Sequence, residues 1–383
     1  MTTDDITTAE PHPATQTPSP PRPHTHRPSP SAVVALAVLL VIVVVAPFVL
    51  DSFWVQLLLL SGASAIGALG LRFLFGVSGQ LSLAHAFFIG VGAYGYAKLG
   101  PHLPGSAVAS LGLPSAVAAV CAVALAAVAG LLFSPVAARL GGIYLGLASL
   151  SLVIFGTDLL INASSLGGAY GMDVAPLTLG SFSFTESHPS VAILGTPFGT
   201  LQRLWFLLAI VLGISFVLMR RMERTRAGRA LKAVRDSPAA AASVGIHVQT
   251  YRSLAFVVSS VAAGVTGVLL ALVYQHIVPE SFGLTLSILY LAMVIIGGPT
   301  SAVGTMVGAL VVSGLPLVLT RYASSFPFVA QPGGAGGVNA GTLSQYIFAV
   351  VVVVVLLARS SAALPAMRRW VNSIWARLHP PAA

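Results

Sequence analysis

The chain has 383 residues, 56% of them apolar and 8% charged, with 19 basic side chains against 10 acidic ones. A soluble domain carries about 25% charge, so these side chains cannot cover a water-facing surface, and the mean hydropathy of +0.92 indicates a membrane protein and speaks against a soluble enzyme. A single cysteine, Cys121, excludes an internal disulfide framework and a cysteine-based metal cluster.

At the start of the chain, Asp4, Asp5 and Glu10 oppose the basic opening of a secretory signal. Eight prolines between Pro11 and Pro30 exclude a helix there. Residues 1–30 therefore read as a disordered, Pro-rich cytoplasmic tail, and the apolar run 31–50 as a retained first span. A window of roughly 20 residues per span marks further candidates at 54–75, 81–99, 113–133, 142–160, 204–219, 254–274, 284–297, 302–320 and 346–358. The expected fold is all-α: a polytopic membrane protein of about ten transmembrane helices, with broken or re-entrant segments. The membrane domain covers 31–358, and 359–383 is a basic cytoplasmic tail.

Charge sets the sidedness, because Lys and Arg collect on the cytoplasmic face. With the N-terminus inside, the inner connections take Arg72, Arg139, the run Arg220–Arg252 and the C-terminal Arg359, Arg368, Arg369 and Arg377. The outer side keeps Lys98, Arg203 and Arg321. An even number of spans preserves this asymmetry and places both termini in the cytoplasm of a cell with an inner (plasma) membrane.

Two polar connections interrupt the spans. The outer one, about 162–203, is rich in Gly, Ser, Thr and Pro and reads either as a solvated link or as a functional surface. The inner one, 220–252, holds seven basic residues between Arg220 and Arg235 with Glu223 alone opposing them. Thr225 is placed to cap a helix running to Arg235; Ser237 followed by Pro238 is an N-cap with proline at the first helical position, and Gly245 is a stop. The helix so framed, about 238–244, is too short to stand in water and must pack on something. It is either a basic segment lying on anionic membrane lipid or a docking element for a cytoplasmic partner.

No chemistry-bearing constellation appears. The phosphate-loop pattern is absent, and PGGAGG at 332–337 lacks the lysine that meets phosphate. The histidines show no metal-ligand spacing, and the basic run has no aromatic interleaving before Tyr251, which argues against nucleic acid. Catalytic residues, metal sites and cofactors are thus expected to be none. The carboxylates Asp158 and Glu280 sit at span ends, whereas an ion-coupled transporter places ionisable groups along its path.

Specific motifs go further. GVSGQLSLAHAFFIGVGAYGYAKL (76–99), GRALKAVRDSPAAAASVGIHVQTYRSLAFVVSS (228–260) and PESFGLTLSILYLAMVIIGGPTSAVGTMVGAL (279–310) resemble the branched-chain amino acid ABC transporter permeases of the LivM type. SSLGGAYGM (164–172) is similar to that family's outer Thr-Gly-Gly motif. Ala84 departs from a usual glycine, Ser165 and Leu166 from Leu-Thr, and Pro299 follows the second Gly pair. The resemblance implies an importer subunit for branched-chain, hydrophobic amino acids, with a second homologous permease, two cytoplasmic ATPase subunits that bind the ATP, and an extracytoplasmic solute-binding protein. Permeases for urea and short amides share these motifs, and a self-sufficient ion-coupled transporter is the alternative from another class.

Within that frame Ser78, Gly79, Gln80, Ser82 and His85 become candidates for the solute path, since polar groups at a helix break can carry a zwitterion past the midplane. His85 reads equally as an interhelical hydrogen-bonding group. Arg229, Lys232, Arg235, Ser237, Pro238, Ala239, Ala240, Ala241 and Gly245 become candidates for ATPase coupling. Gly297, Gly298 and Gly304 are candidates for a second close-packed break.

Overall fold

The computed structural model describes residues 41–106, 108–179, 182–184, 192–193, 196–197, 199–323 and 339–359. The tail 1–30, most of the first predicted span and the basic tail 360–383 lie outside the described residues. Contacts divide the chain into two units, 1–43 and 44–383, and the helical bundle belongs to the second.

Helix α1 is described over 41–49. Asp51 then caps α2 (Ser52–Arg72) by accepting from the Ser52 amide. The remaining helices are α3 (His85–Leu99), α4 (Ser115–Arg139), α5 (Ile143–Asn162), α6 (Thr200–Arg224), α7 (Arg226–Asp236), α8 (Pro238–Ser243), α9 (Val248–Tyr274), α10 (Leu284–Gly297), α11 (Ala302–Arg321) and α12 (Ala340–Arg359). Seven segments among the described residues are long and apolar enough to cross a membrane: Ser52–Val77, Ser115–Arg139, Ile143–Asn162, Thr200–Arg224, Val248–Tyr274, Pro279–Gly297 and Ala302–Arg321. The chain is therefore a polytopic, all-α membrane protein. Among the described residues the strands form three two-residue antiparallel pairs, one of which joins Met172–Asp173 to His276–Ile277.

Two helices form the centre. The α2 span is 83% buried and α9 72%, whereas the other five long spans lie between 17% and 33%. The reason is side-chain size: from Ala63 to Arg72 every residue of α2 is buried, and a stretch as small as ASAIGALG lets neighbours approach on all sides. A Cβ on Gly70 would lie 2.4 Å from the Ala262 Cβ of α9, and one on Gly92 of α3 2.4 Å from the Gly264 carbonyl oxygen. Glycine is required at both positions because backbone, not a movable side chain, fills the space at the second. Outer helices instead show apolar side chains, such as Ile154, Phe155 and Leu159 of α5, to whatever surrounds the protein.

The span expected at 81–99 is helical only from His85. Before it, α2 runs into a π-helical turn (Phe73–Val77), and residues 79–83 have no regular structure. The predicted break thus exists, between Val77 and His85, at the end of the bundle where Arg72 lies. At the opposite end, Lys98 closes a loop by donating to the carbonyls of Ala109 (2.7 Å) and Ser165 (2.9 Å).

Candidate functional site

The α2–α3 break is held in place by the basic segment 220–252. Thr225 accepts from the Gly228 amide and starts α7; Ser237 accepts from the Ala240 amide and starts α8, with Pro238 at its first position. Gly245 follows at φ 83°, a conformation glycine adopts without strain, and the Ile246 amide closes the end on the Ala241 carbonyl at 3.0 Å. Helix α7 buries Gly228, Leu231 and Val234 and leaves Arg229, Lys232 and Arg235 exposed. In α8 the four alanines divide: Ala241 is buried in the chain, and Ala239, Ala240 and Ala242 are exposed.

Arg235 does not spend its charge on solvent alone. Its guanidinium donates to the Gly76 carbonyl at 2.7 Å and pairs with Asp236 at 2.9 Å. Its aliphatic stem covers Gly79, where an added Cβ would stand 2.5 Å from Arg235 Cγ; the Gly79 φ of 71° also disfavours any side chain. Gln80 donates to Ser78 Oγ at 2.6 Å and to the Arg252 carbonyl, at the start of α9, at 3.1 Å. The break is therefore tied to the middle of the 220–252 segment through Arg235 and to its end through Arg252.

Beneath this contact lies a buried ion pair. Arg72 donates to both Glu223 carboxylate oxygens and to the Thr300 carbonyl, with side chains 4% and 15% exposed. Thr300 belongs to the α10–α11 turn, which Gly298 opens at φ 92°. A Cβ on Gly76 would lie 2.1 Å from the Pro299 carbonyl oxygen. Gly297 and Gly304 pack backbone to backbone, each Cβ position within 2.2 Å of the other's carbonyl oxygen, so these glycines form a close hairpin rather than a polar opening. Four elements, α2, α6, α7 and the α10–α11 turn, thus meet at one point. Sequence reasoning assigns Arg72 only to sidedness and misses this junction; the signal is Glu223, the lone acid in the basic run.

The path candidates separate. Gln80 reaches the basic segment and also donates to Ser78, while the Ser82 hydroxyl accepts from the Ala84 amide at 3.2 Å. His85 sits inside the bundle, with its ring centroid 5.0 Å from that of Tyr290 on α10. A Cβ on Gly67 would be 3.1 Å from His85 Nε2 and 2.7 Å from Tyr290 Cε1, which makes His85 an interhelical packing group as much as a polar one. Among the described residues no group of three His, Cys, Asp or Glu side chains could hold a metal.

Residues 53–361 match the family described as "Branched-chain amino acid transport system / permease component". The chain belongs to this permease family. Two curated relatives are similar to it, both described as "High-affinity branched-chain amino acid transport system permease protein LivM". The one from Escherichia coli (strain K12) is 29% identical over 275 residues, and the one from Salmonella typhimurium (strain LT2) is 29% identical over 274 residues. Each match covers 69% of this chain and 63% of the relative, so it spans less than two thirds of the relatives' length. No solved structure matches the chain. The permease family match runs through the α2–α3 break, the basic segment and the α10–α11 hairpin together.

Proposed function

We propose that this permease is a membrane subunit of an ATP-binding cassette importer for branched-chain, hydrophobic amino acids. It works beside a second homologous permease, receives solute from an extracytoplasmic binding protein, and is driven by two cytoplasmic ATPase subunits that dock on α7 and α8. The termini and the basic segment face the cytoplasm of the inner (plasma) membrane. The descriptions of the two relatives support the solute class.

One observation carries the coupling: the segment that offers exposed Ala239 and Ala240 to a partner is fastened through Arg235 to the Gly76 carbonyl of the membrane break. A push on α8 reaches α2 and α3 through one short hydrogen-bonded route, with Ala241 buried as the inner footing of that helix. The sequence alone suggests that Arg235 attracts the partner; with its guanidinium committed to Gly76, its removal should break transmission more than docking. Arg229 and Lys232 remain exposed and supply the salt-sensitive attraction.

The test is reconstitution of the complete transporter in proteoliposomes. Ala240→Trp should abolish solute-driven uptake by blocking close approach, and the ATPases should no longer co-purify. Arg235→Gln should keep them bound while ATP hydrolysis no longer drives uptake. Arg229→Gln should weaken docking by about 1 kcal/mol or less, as an exposed charge does. Normal uptake by Ala240→Trp refutes docking at α8; if the segment merely lies on anionic lipid, charge removal releases it and the tryptophan is tolerated.

A further inference from the structure

The centre of the bundle holds polar atoms that have no partner. Among the described residues, Ser61 Oγ of α2, His85 Nε2 of α3 and Tyr290 Oη of α10 are buried without a hydrogen bond, on residues 3%, 3% and 0% exposed. The other such atoms, on Arg72 and Gln80, belong to the junction at the break. The Gly67 carbonyl stands beside the imidazole and Ser64 beside the Tyr290 hydroxyl, yet neither completes a hydrogen bond to Nε2 or Oη. Buried polar groups are nearly always paired, and inside a membrane no solvent takes the partner's place. Leaving three of them bare on packed helices is costly, so the arrangement calls for a group that this closed packing does not contain.

The three helices converge at the start of α3. The His85 and Tyr290 rings lie 5.0 Å apart between centroids, and Gly67 of α2 leaves both uncovered, since a Cβ there would stand 3.1 Å from His85 Nε2 and 2.7 Å from Tyr290 Cε1. Ser287, one turn before Tyr290 on α10, accepts from the Ala86 amide at 3.1 Å, so this face of α10 meets the first turn of α3. Ser64 and Ser61 continue along α2 from Gly67, a turn apart. The α3 N-cap, Ala84, has no side chain to cap with, and the positive end of the helix dipole favours negative charge there.

The chemistry of the missing group follows from what surrounds it. Helix α10 carries no charged residue, and the charges of α2, α3 and α9, Arg72, Lys98 and Arg252, stand near the helix ends. A bare ion at the centre would lack a counter-charge, whereas a zwitterion is neutral overall and needs a donor for its carboxylate and acceptors for its ammonium. A tyrosine hydroxyl donates, and an imidazole nitrogen or a serine oxygen accepts.

We propose that Ser61, His85 and Tyr290 form the polar subsite of the solute path. When α2, α3 and α10 part during transport, the Tyr290 hydroxyl donates to the solute's carboxylate, and His85 Nε2 and Ser61 Oγ accept from its ammonium. This assignment rests on the amino-acid importer reading above. It places the head of the solute inside the bundle, beyond Ser78 and Ser82 of the break, whose hydroxyls already hold protein partners.

The experiment uses the complete transporter in proteoliposomes, supplied with saturating leucine-loaded binding protein, and measures uptake and ATP hydrolysis together. A hydrogen bond to a charged group is worth roughly ten- to a hundredfold in an equilibrium constant. Tyr290→Phe, which removes one oxygen, should therefore lower leucine moved per ATP hydrolysed by at least about tenfold, while the loaded binding protein still stimulates hydrolysis. If the hydroxyl serves only packing, or holds only a water molecule, that ratio stays at the wild-type value, and the subsite is overturned. Separately, Ser61→Cys in a Cys121→Ala background should react with a small aqueous thiol reagent at least about tenfold faster during turnover than at rest. A thiol that the reagent never reaches, or reaches equally fast at rest, overturns the subsite as well. If the wild-type transporter moves no amino acid, the importer reading itself falls, whatever the variants do.

Discussion

Removing one partner of the Arg72–Glu223 pair tests whether the junction of α2, α6 and the α10–α11 turn is structural. Arg72→Met leaves the Glu223 carboxylate at 15% exposure with its two guanidinium donors gone and strips the Thr300 carbonyl of its donor. Breaking a buried pair in this way costs about 3–5 kcal/mol; because Glu223 keeps a little solvent, the lower end, about 3 kcal/mol, is expected. Glu223→Met should cost somewhat less, since Arg72 retains Thr300. The double variant removes both charges and should come within about 1 kcal/mol of wild type, as paired apolar replacements do. The coupling between the sites should then be at least about 2 kcal/mol, or roughly 30-fold in an equilibrium constant. Equilibrium unfolding of the purified protein by SDS titration in mixed micelles measures all four corners of the cycle. If the single-variant losses add up to that of the double variant within about 0.5 kcal/mol, the two residues do not act as a pair and the junction is not held electrostatically.

Packing and sidedness give two further expected outcomes. Gly92→Leu should prevent stable assembly, because its Cβ would meet the Gly264 backbone at 2.4 Å, whereas Gly213→Leu, with nothing within 4 Å, should fold normally; detergent-solubilised monodisperse yield separates them. In a Cys121→Ala background, Tyr170→Cys, at a position 90% exposed in the wild type, should be labelled on intact cells by an impermeant thiol reagent and Ser243→Cys only after lysis. Labelling of Ser243→Cys from outside would invert the topology.

The legibility of the chain differs by scale. Composition and span-length windows suffice for a polytopic helical protein, because lipid leaves the backbone no other way to satisfy its polar groups than a helix or a closed barrel. The caps at Thr225 and Ser237 and the stop at Gly245 are legible for a local reason: each acts on amides or dihedrals within a few residues. The break before His85 can be suspected from its glycines and polar side chains, though not its extent, and window hydropathy assigns a full span to what is a 15-residue helix.

What the sequence by itself determined, then, is what is set by contacts close along the chain: the apolar helices of a polytopic membrane protein and the caps at Thr225 and Ser237. Only the tertiary structure decided which charges meet. Arg72 and Glu223 are 151 residues apart, and Arg235 and Gly76 are 159 apart; no periodicity links them, since their approach depends on how α2, α6 and α7 pack. The division of Ala239 and Ala240 from Ala241 and the burial of His85 against Tyr290 arise in the same way, from which helix faces find partners and which are left without one.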